Sequence, residues 1–234
     1  MFTRSARFYD ALYSWKDYPG ETSKLLTIIR ERCPSARTLL DVACGTGKHL
    51  ELLRADFEVE GLDLDTEMLT MAKQRLPQVP FHHGDMLDFD LSRQFDVVTC
   101  LFSSIAYAGT TERLARAIRT MADHVAPGGV LVVEPFFTPD QWEPGHPWAL
   151  FVDETDLKIA RMDVPGPPRD RIAALEFHYL VATPDGIEYF REPHEITLFT
   201  NDEYLEAFRA EGLEAQHDPE GLMGRGLYTA VKPR

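Results

Sequence analysis

Two periodicities alternate along the chain as far as Phe137. Phe8, Leu12 and Trp15 recur at helical spacing and predict a short amphipathic helix near the N-terminus. Leu25, Ile28 and Ile29 mark a second helix over about 21–32, stopped by Pro34. Thr38–Val42 reads as a buried strand entering the glycine turn Gly45-Thr46-Gly47, with a helix through Leu53 behind it. A second strand is expected over 57–63. Asp65 then holds the N-cap place of a helix bearing Met68, Leu69 and Ala72, ended by Pro77. Residues 79–82 and 95–101 predict a third and a fourth strand. Leu114, Ile118, Met121 and Val125 form a helical stripe, which Pro127-Gly128-Gly129 breaks before a fifth strand over 130–134. Strands that are apolar on both faces and alternate with helices imply a parallel sheet covered on both sides.

The pattern changes after Phe137. Prolines become frequent, and β-like runs appear at 157–164, 171–182 and 187–199. Thr183-Pro184-Asp185-Gly186 between the last two is a turn signature that predicts a hairpin. A helix over 201–211 and strands near 213–217 and 227–231 then resume the core pattern. The expected division is a core of residues 1–137 and 201–234, interrupted by an antiparallel insertion, 138–200. The insertion sits where it could cover the carboxyl ends of the parallel strands, where open α/β sheets bind ligands.

Composition narrows the function classes. The 234 residues carry 24 Lys and Arg against 38 Asp and Glu, a formal net charge of −14. A surface that acidic repels phosphate backbones over most of its area, so nucleic acid is not an expected partner, although a few local arginines could hold a small anion. The apolar runs are too short to cross a bilayer, and Met1-Phe2-Thr3-Arg4-Ser5 lacks a signal-peptide core; no membrane partner is expected. Three cysteines, Cys33, Cys44 and Cys100, at unrelated spacings argue against a disulfide framework and suit a reducing cytoplasm.

Candidate chemistry clusters at three consecutive strand ends. Asp41-Val42-Ala43-Cys44-Gly45-Thr46-Gly47 is a strand running into a tight glycine turn that lets a ligand lie against backbone. A dinucleotide fingerprint wants a further glycine where Leu50 stands, and no phosphate-loop motif is present. Asp63, in Gly61-Leu62-Asp63, follows about twenty residues on, where a carboxylate can accept both hydroxyls of a ribose; the competing reading is a solvated strand-end acid. Gly84-Asp85-Met86 ends the third strand, with Asp85 able to accept from an exocyclic amine and Met86 to pack on a purine. His82 and His83 point to opposite faces of a strand, so no metal site is expected.

With Pro127-Gly128-Gly129, this series resembles the motifs of S-adenosylmethionine-dependent methyltransferases of the Rossmann-like class. Residues 39–47, Gly84-Asp85-Met86, Leu101-Phe102-Ser103-Ser104-Ile105, Val132-Val133-Glu134-Pro135, Ile196-Thr197-Leu198-Phe199-Thr200 and Gly224-Arg225-Gly226-Leu227 are similar to one branch. That branch is the TDP-3-amino-sugar N,N-dimethyltransferases of the desosamine and mycaminose pathways, and Lys16-Asp17-Tyr18 matches it as well. The resemblance implies an α/β fold: a doubly wound, mostly parallel seven-stranded sheet with an antiparallel β insertion after the fifth strand. It further implies S-adenosylmethionine as cofactor, a small-molecule acceptor and a homodimer. The chain departs from the branch in three ways. Asp63 replaces the usual Glu, Phe136-Phe137 stand where tryptophans are frequent, and Met162-Asp163-Val164-Pro165-Gly166-Pro167-Pro168 replaces a serine- and charge-rich segment.

Carried over by position, the resemblance implies cofactor contacts from Tyr9, Tyr18, Asp41, Ala43, Cys44, Gly45, Gly47, His49, Leu50, Asp63, Leu64, Met68, Gly84, Asp85, Met86, Leu101, Phe102 and Ser103. Acceptor contacts fall to Tyr18, Tyr107, Glu134, Phe136, Phe137, His178, His194 and Arg225, and catalytic roles to Tyr9, Tyr107 and His178. Tyr9 and Tyr107 would orient an amine; for Tyr9 the alternative is core packing. Arg225 would pair with a diphosphate, against a turn arginine in water. His178 and His194 are base candidates, against structural strand histidines. Cys44 reads as a packing residue. The expected activity is N-methylation of a nucleotide-linked amino sugar. Another amine or a phenol is the alternative acceptor, and a non-catalytic cofactor binder is the alternative class. No Asn/Asp-Pro-Pro-aromatic motif follows the fourth strand, where Cys100-Leu101-Phe102-Ser103 stands, which also argues against nucleic-acid methylation.

Overall fold

The computed structural model describes residues 4–234; residues 1–3, part of the stretch read for a leader, lie outside the described residues. Five strands run parallel: β1 (Thr38–Val42), β2 (Glu58–Asp63), β3 (Phe81–His83), β4 (Phe95–Cys100) and β5 (Val125–Val133), in the spatial order β3-β2-β1-β4-β5. The order reverses between β1 and β4, which opens a crevice at their carboxyl ends. The chain then leaves the sheet to build β6 (Trp148–Asp153), β7 (Lys158–Asp163), β8 (Ile172–Thr183) and β9 (Gly186–Thr197), a four-stranded antiparallel sheet. It returns through β10 (Gln216–Asp218) and β11 (Leu227–Val231), which add antiparallel beside β5 and complete seven strands.

Helices cover both faces. α1 (Tyr9–Leu12) packs under the insertion sheet, whereas α2 (Tyr18–Arg32), α3 (Lys48–Leu53) and α4 (Thr66–Arg75) set Leu25, Ile29, Leu50, Leu53 and Leu69 against Leu39, Val59, Val97 and Val132. On the other face α5 (Thr111–Asp123) and α6 (Asn201–Ala210) bring Leu114, Ile118, Met121, Tyr204 and Phe208 against Leu40, Val98, Leu131 and Tyr228. Each such buried side chain contributes about 1.5–3 kcal/mol. The helix starts follow capping chemistry. Asp17 accepts from Gly20 N, Asp65 from Glu67 N and Met68 N, and Thr200 with Glu203 closes a capping box.

Several boundaries differ from expectation for identifiable reasons. α2 starts at Tyr18, because Asp17 caps it and Pro19 occupies its first turn. The N-terminal helix stops at Leu12, and Trp15 is exposed instead of sharing the Phe8–Leu12 face. Val125 belongs to β5, not to the preceding helix, and Pro127-Gly128-Gly129 lies inside that strand as a bulge opposite β4. Gly129 is required there, since a Cβ would stand 2.7 Å from the Asp96 carbonyl oxygen. β3 is shifted to 81–83, β10 is confined to 216–218, and β6 was not anticipated.

The expected hairpin forms with Thr183 opposite Gly186. Pro193 is accommodated because β9 is an edge strand. The inner face of the insertion sheet packs Val152, Ile159, Tyr179, Val181 and Phe190 on Phe8, Leu12 and Tyr13. Nearer the crevice, Leu175 and Ile196 pack on Ala106, in the 3₁₀ turn Ser104–Ala108 after β4.

Candidate functional site

A cavity of about 110 Å³ lies at the carboxyl ends of the parallel strands, lined by Tyr9, Ala43, Gly45, Asp63, Leu64, Met68, Gly84, Asp85, Met86 and Tyr107. A second, of about 30 Å³, shares Tyr9, Ala43, Gly45 and Ser104 as walls and extends past Tyr18, Asp41, Cys44, His49, Leu101 and Phe102. Together they follow the ends of β1, β2, β3 and β4, and the motifs at Asp41, Asp63 and Gly84 supply walls from the first three.

The glycine turn is fixed from below and from the side. Gly45 N donates to Asp63 Oδ2 at 2.7 Å, and Asp65 N donates to Asp63 Oδ1 at 2.8 Å. The carboxylate so held also lines the cavity, where it can accept from two vicinal hydroxyls. Burial raises the Asp63 pKa above the ordinary carboxylate value, and backbone donors from Asp65, Gly45 and Leu64 oppose that rise. Asp41 is buried deeper, accepts from Thr99 Oγ1 at 2.7 Å, and is pushed by burial up to about 7. Thr46 Oγ1 donates to Asp10 Oδ1 at 2.7 Å, while Arg75 pairs with Asp10 and donates to the Thr46 carbonyl, so α1 and α4 clamp the turn.

Beside the smaller cavity lies a buried polar cluster. Lys16 pairs with Glu21, and His49 Nε2 is 3.1 Å from Glu21 Oε2. Lys16 Nζ also lies over the rings of Tyr18 at 4.5 Å and Phe102 at 4.7 Å. Burial holds the His49 pKa below the ordinary imidazole value, with Lys16 adding to the effect. Burial alone would raise Glu21, but its bonds to His49 and Lys16 outweigh that and hold it low.

The wall after β4 is strained. Phe102 and Ser103 have left-handed φ values of 52° and 65°, each costing about 1–2 kcal/mol. Glu134, fully buried at the end of β5, holds this bend by accepting from Phe102 N at 2.7 Å, and Ser103 Oγ donates to the Pro135 carbonyl at 2.6 Å. Glu134 Oε1 has no hydrogen-bond partner among the described residues, and burial raises the carboxyl's pKa. Arg225 reaches the same wall. Its guanidinium donates to Ser103 Oγ at 3.2 Å and lies 5.3 Å from the Phe102 ring and 5.6 Å from those of Phe136 and Phe137. It forms no ion pair among the described residues.

Some anticipated residues lie elsewhere. Leu50 is fully buried in the α3 face against the sheet, and Gly47 caps α3 without lining either cavity. Ser103 is turned toward Pro135 and Arg225, leaving its wall position to Ser104. His178 projects from the outer face of the insertion sheet, where its Nδ1 is 2.7 Å from the Tyr189 hydroxyl, because its neighbours Phe177 and Tyr179 take the inner face. His194 is buried behind Tyr107 and itself lines neither cavity. His82 and His83 separate, one to Glu60 and one to the Leu64 carbonyl. Sequence reasoning missed Asp10, Arg75, Glu21 and Glu192, polar residues that each have a partner distant in the chain.

Comparison with known proteins shows the family. A methyltransferase-domain family matches residues 39–129. The chain is 43% identical over 230 residues to the dTDP-3-amino-3,6-dideoxy-alpha-D-glucopyranose N,N-dimethyltransferase of Streptomyces fradiae, covering 97% of this chain and 90% of that one. Among solved structures it superposes on Streptomyces venezuelae DesVI with a TM-score of 0.93 at 41% identity, covering 99% of this chain and 100% of that one. It also superposes on CalS10, an amino pentose methyltransferase from Micromonospora echinaspora solved with S-adenosylmethionine bound, with a TM-score of 0.88 at 38% identity, covering 99% and 98%. S-adenosylmethionine is the cofactor, and the Asp63 carboxylate at the cavity wall fits its ribose. The chain therefore belongs to the S-adenosylmethionine-dependent methyltransferases, in the branch of the nucleotide amino-sugar N,N-dimethyltransferases.

Proposed function

We propose that the protein methylates the amino group of a nucleotide-linked amino sugar, with Arg225 holding the diphosphate. The carrying observation is Arg225 itself. In a chain of net charge −14 it forms no ion pair among the described residues and stands between three aromatic rings next to the cofactor cavity. A planar fork so held, with donors to spare, matches a diphosphate.

When bound, S-adenosylmethionine supplies a methyl group on a sulfonium, already activated for in-line displacement. The chain's part is to position and desolvate the acceptor. Asp63 accepts from the ribose hydroxyls, Asp85 from the exocyclic amine, and Met86 packs on the purine. Tyr9 and Tyr107 flank the reacting nitrogen, and burial raises both phenols, so they stay protonated and act as hydrogen-bonding groups. The insertion, 138–200, closes the acceptor side through Phe177 and Trp142, which join the core's Phe136–Phe137 pair there.

A homodimer through the outer face of the insertion sheet is part of this reading. Phe151, Ala160, Leu180 and Tyr189 stand opposite one another in a row across all four strands, and Phe151, Leu180 and Tyr189 are more than half exposed. An apolar row of that size on a sheet face suits a second copy of the same face. A cytoplasmic setting is proposed from the three free, buried thiols.

Mass spectrometry of an acceptor panel tests the reading. Methyl masses gained on TDP-amino sugars, and not on free amines or phenols, support it. Transfer to simple acceptors with the nucleotide sugars inert overturns the acceptor class.

A further inference from the structure

The inner face of β9 presents Phe190, Glu192, His194 and Ile196, two polar residues buried in an otherwise apolar row. They form a chain that ends at the cavity. Tyr107, in the turn after β4, lines the cavity, and its hydroxyl is 2.7 Å from His194 Nδ1. His194 Nε2 is 3.2 Å from Glu192 Oε1, which also accepts from Ser5 Oγ at 2.5 Å, while Glu192 Oε2 accepts from Ser5 N at 3.2 Å.

An assignment of protons with an ionised Glu192 satisfies these contacts. The Glu192 carboxylate accepts from Nε2–H, which leaves Nδ1 as the acceptor for the Tyr107 hydroxyl. Burial holds the His194 imidazole below its ordinary pKa, so the resting ring is neutral, and the Glu192 carboxylate opposes that fall by favouring the imidazolium. The titratable and charged groups facing it among the described residues are Glu192 on its own strand, Tyr107 from the β4 turn and Arg161 from β7; Glu192 raises its pKa and Arg161 lowers it. A carboxylate and an imidazole buried in a core cost desolvation that apolar residues would avoid, which points to a use for the chain.

We propose that Tyr107, His194 and Glu192 relay the proton off the acceptor amine, which arrives as an ammonium. This rests on the amine reading above. The ammonium N–H bond breaks and its proton passes to Tyr107 Oη, as the Tyr107 hydroxyl proton passes to His194 Nδ1. The amine keeps the N–H electron pair as a free lone pair, and one positive charge moves to an imidazolium held by Glu192. The same path reversed returns the proton to solvent after turnover. Tyr107 touches the amine; His194 and Glu192 are positioning residues that act through it.

The test is the pH profile of kcat for Glu192→Gln and Tyr107→Phe with a TDP-amino sugar, alongside calorimetric affinity for S-adenosylmethionine. At neutral pH kcat is expected to fall roughly 100-fold or more in both variants. Cofactor affinity should stay within about threefold, and the loss should shrink as pH rises through the amine's own pKa, where the acceptor arrives unprotonated. A loss that is the same at every pH, or no loss, overturns the relay while leaving the amine reading standing. If Glu192→Gln does not fold, Tyr107→Phe, which deletes one hydroxyl, carries the same profile. A wild type that methylates no amine overturns the amine reading and the relay with it.

Discussion

Asp63 Oδ2 accepts the backbone N–H of Gly45 at 2.7 Å, so the end of β2 holds the glycine turn that follows β1. One carboxylate therefore shapes the turn and faces the cavity. Asp63→Ala is expected to weaken S-adenosylmethionine binding about 10- to 100-fold, the loss of charge-assisted hydrogen bonds worth roughly 1.5–3 kcal/mol. Isothermal calorimetry reads it directly. Unchanged affinity would remove the ribose from Asp63.

Arg225 separates the acceptor from the cofactor. Arg225→Ala should raise the acceptor KM at least tenfold and leave cofactor affinity unaltered, since its guanidinium contacts Ser103 and three rings but lines neither cavity. Arg225→Lys should recover little, because an ammonium lacks the planar fork. Steady-state kinetics with both substrates varied distinguishes these results from a general loss of activity.

Asp41 makes stability depend on pH. Its folded pKa of about 7 lies above the unfolded value near 4, so between these limits the native state keeps a proton that the unfolded chain has released. Stability contributed by this group is full below about pH 4 and is lost as pH rises to about 7. Asp41→Asn removes the titration and can still accept from Thr99. Urea unfolding of cofactor-free protein should show the variant gaining on wild type from about pH 5 to pH 8, by roughly 2–4 kcal/mol. Parallel profiles would show that Asp41 does not titrate in this range.

The outer face of the insertion sheet gives an independent test. Leu180→Glu places a charge in the middle of the exposed row from Phe151 to Tyr189. Light scattering should give a dimer for wild type and a monomer for the variant, with secondary structure retained. A monomeric wild type contradicts the proposed interface.

The core was legible because burial imposes its period on the sequence. The Thr38–Val42 run is buried on both faces and forms β1 with the expected bounds, and the α5 stripe Leu114, Ile118 and Met121 is fully buried. β6 escaped because Trp148, Ala149 and Phe151 are exposed, so no alternation marks it. His178 was misassigned because Leu180 on the outer face is as apolar as Tyr179 and Val181 on the inner one; composition leaves the phase of that strand open, and one residue of phase reverses every side chain. The Asp10–Thr46–Arg75 clamp and the Tyr107–His194 contact join segments far apart in the chain, and no local pattern announces such pairs.

The most direct test of the account compares one amino sugar with and without its nucleotide. Wild-type enzyme, S-adenosylmethionine and equal concentrations of the two acceptors are mixed, and initial methyl incorporation into each is followed by mass spectrometry. The expected result is methylation of the nucleotide-linked sugar at least about tenfold faster, a preference that disappears in Arg225→Ala. Equal rates on both acceptors in wild type would contradict recognition of the nucleotide and with it the role of Arg225.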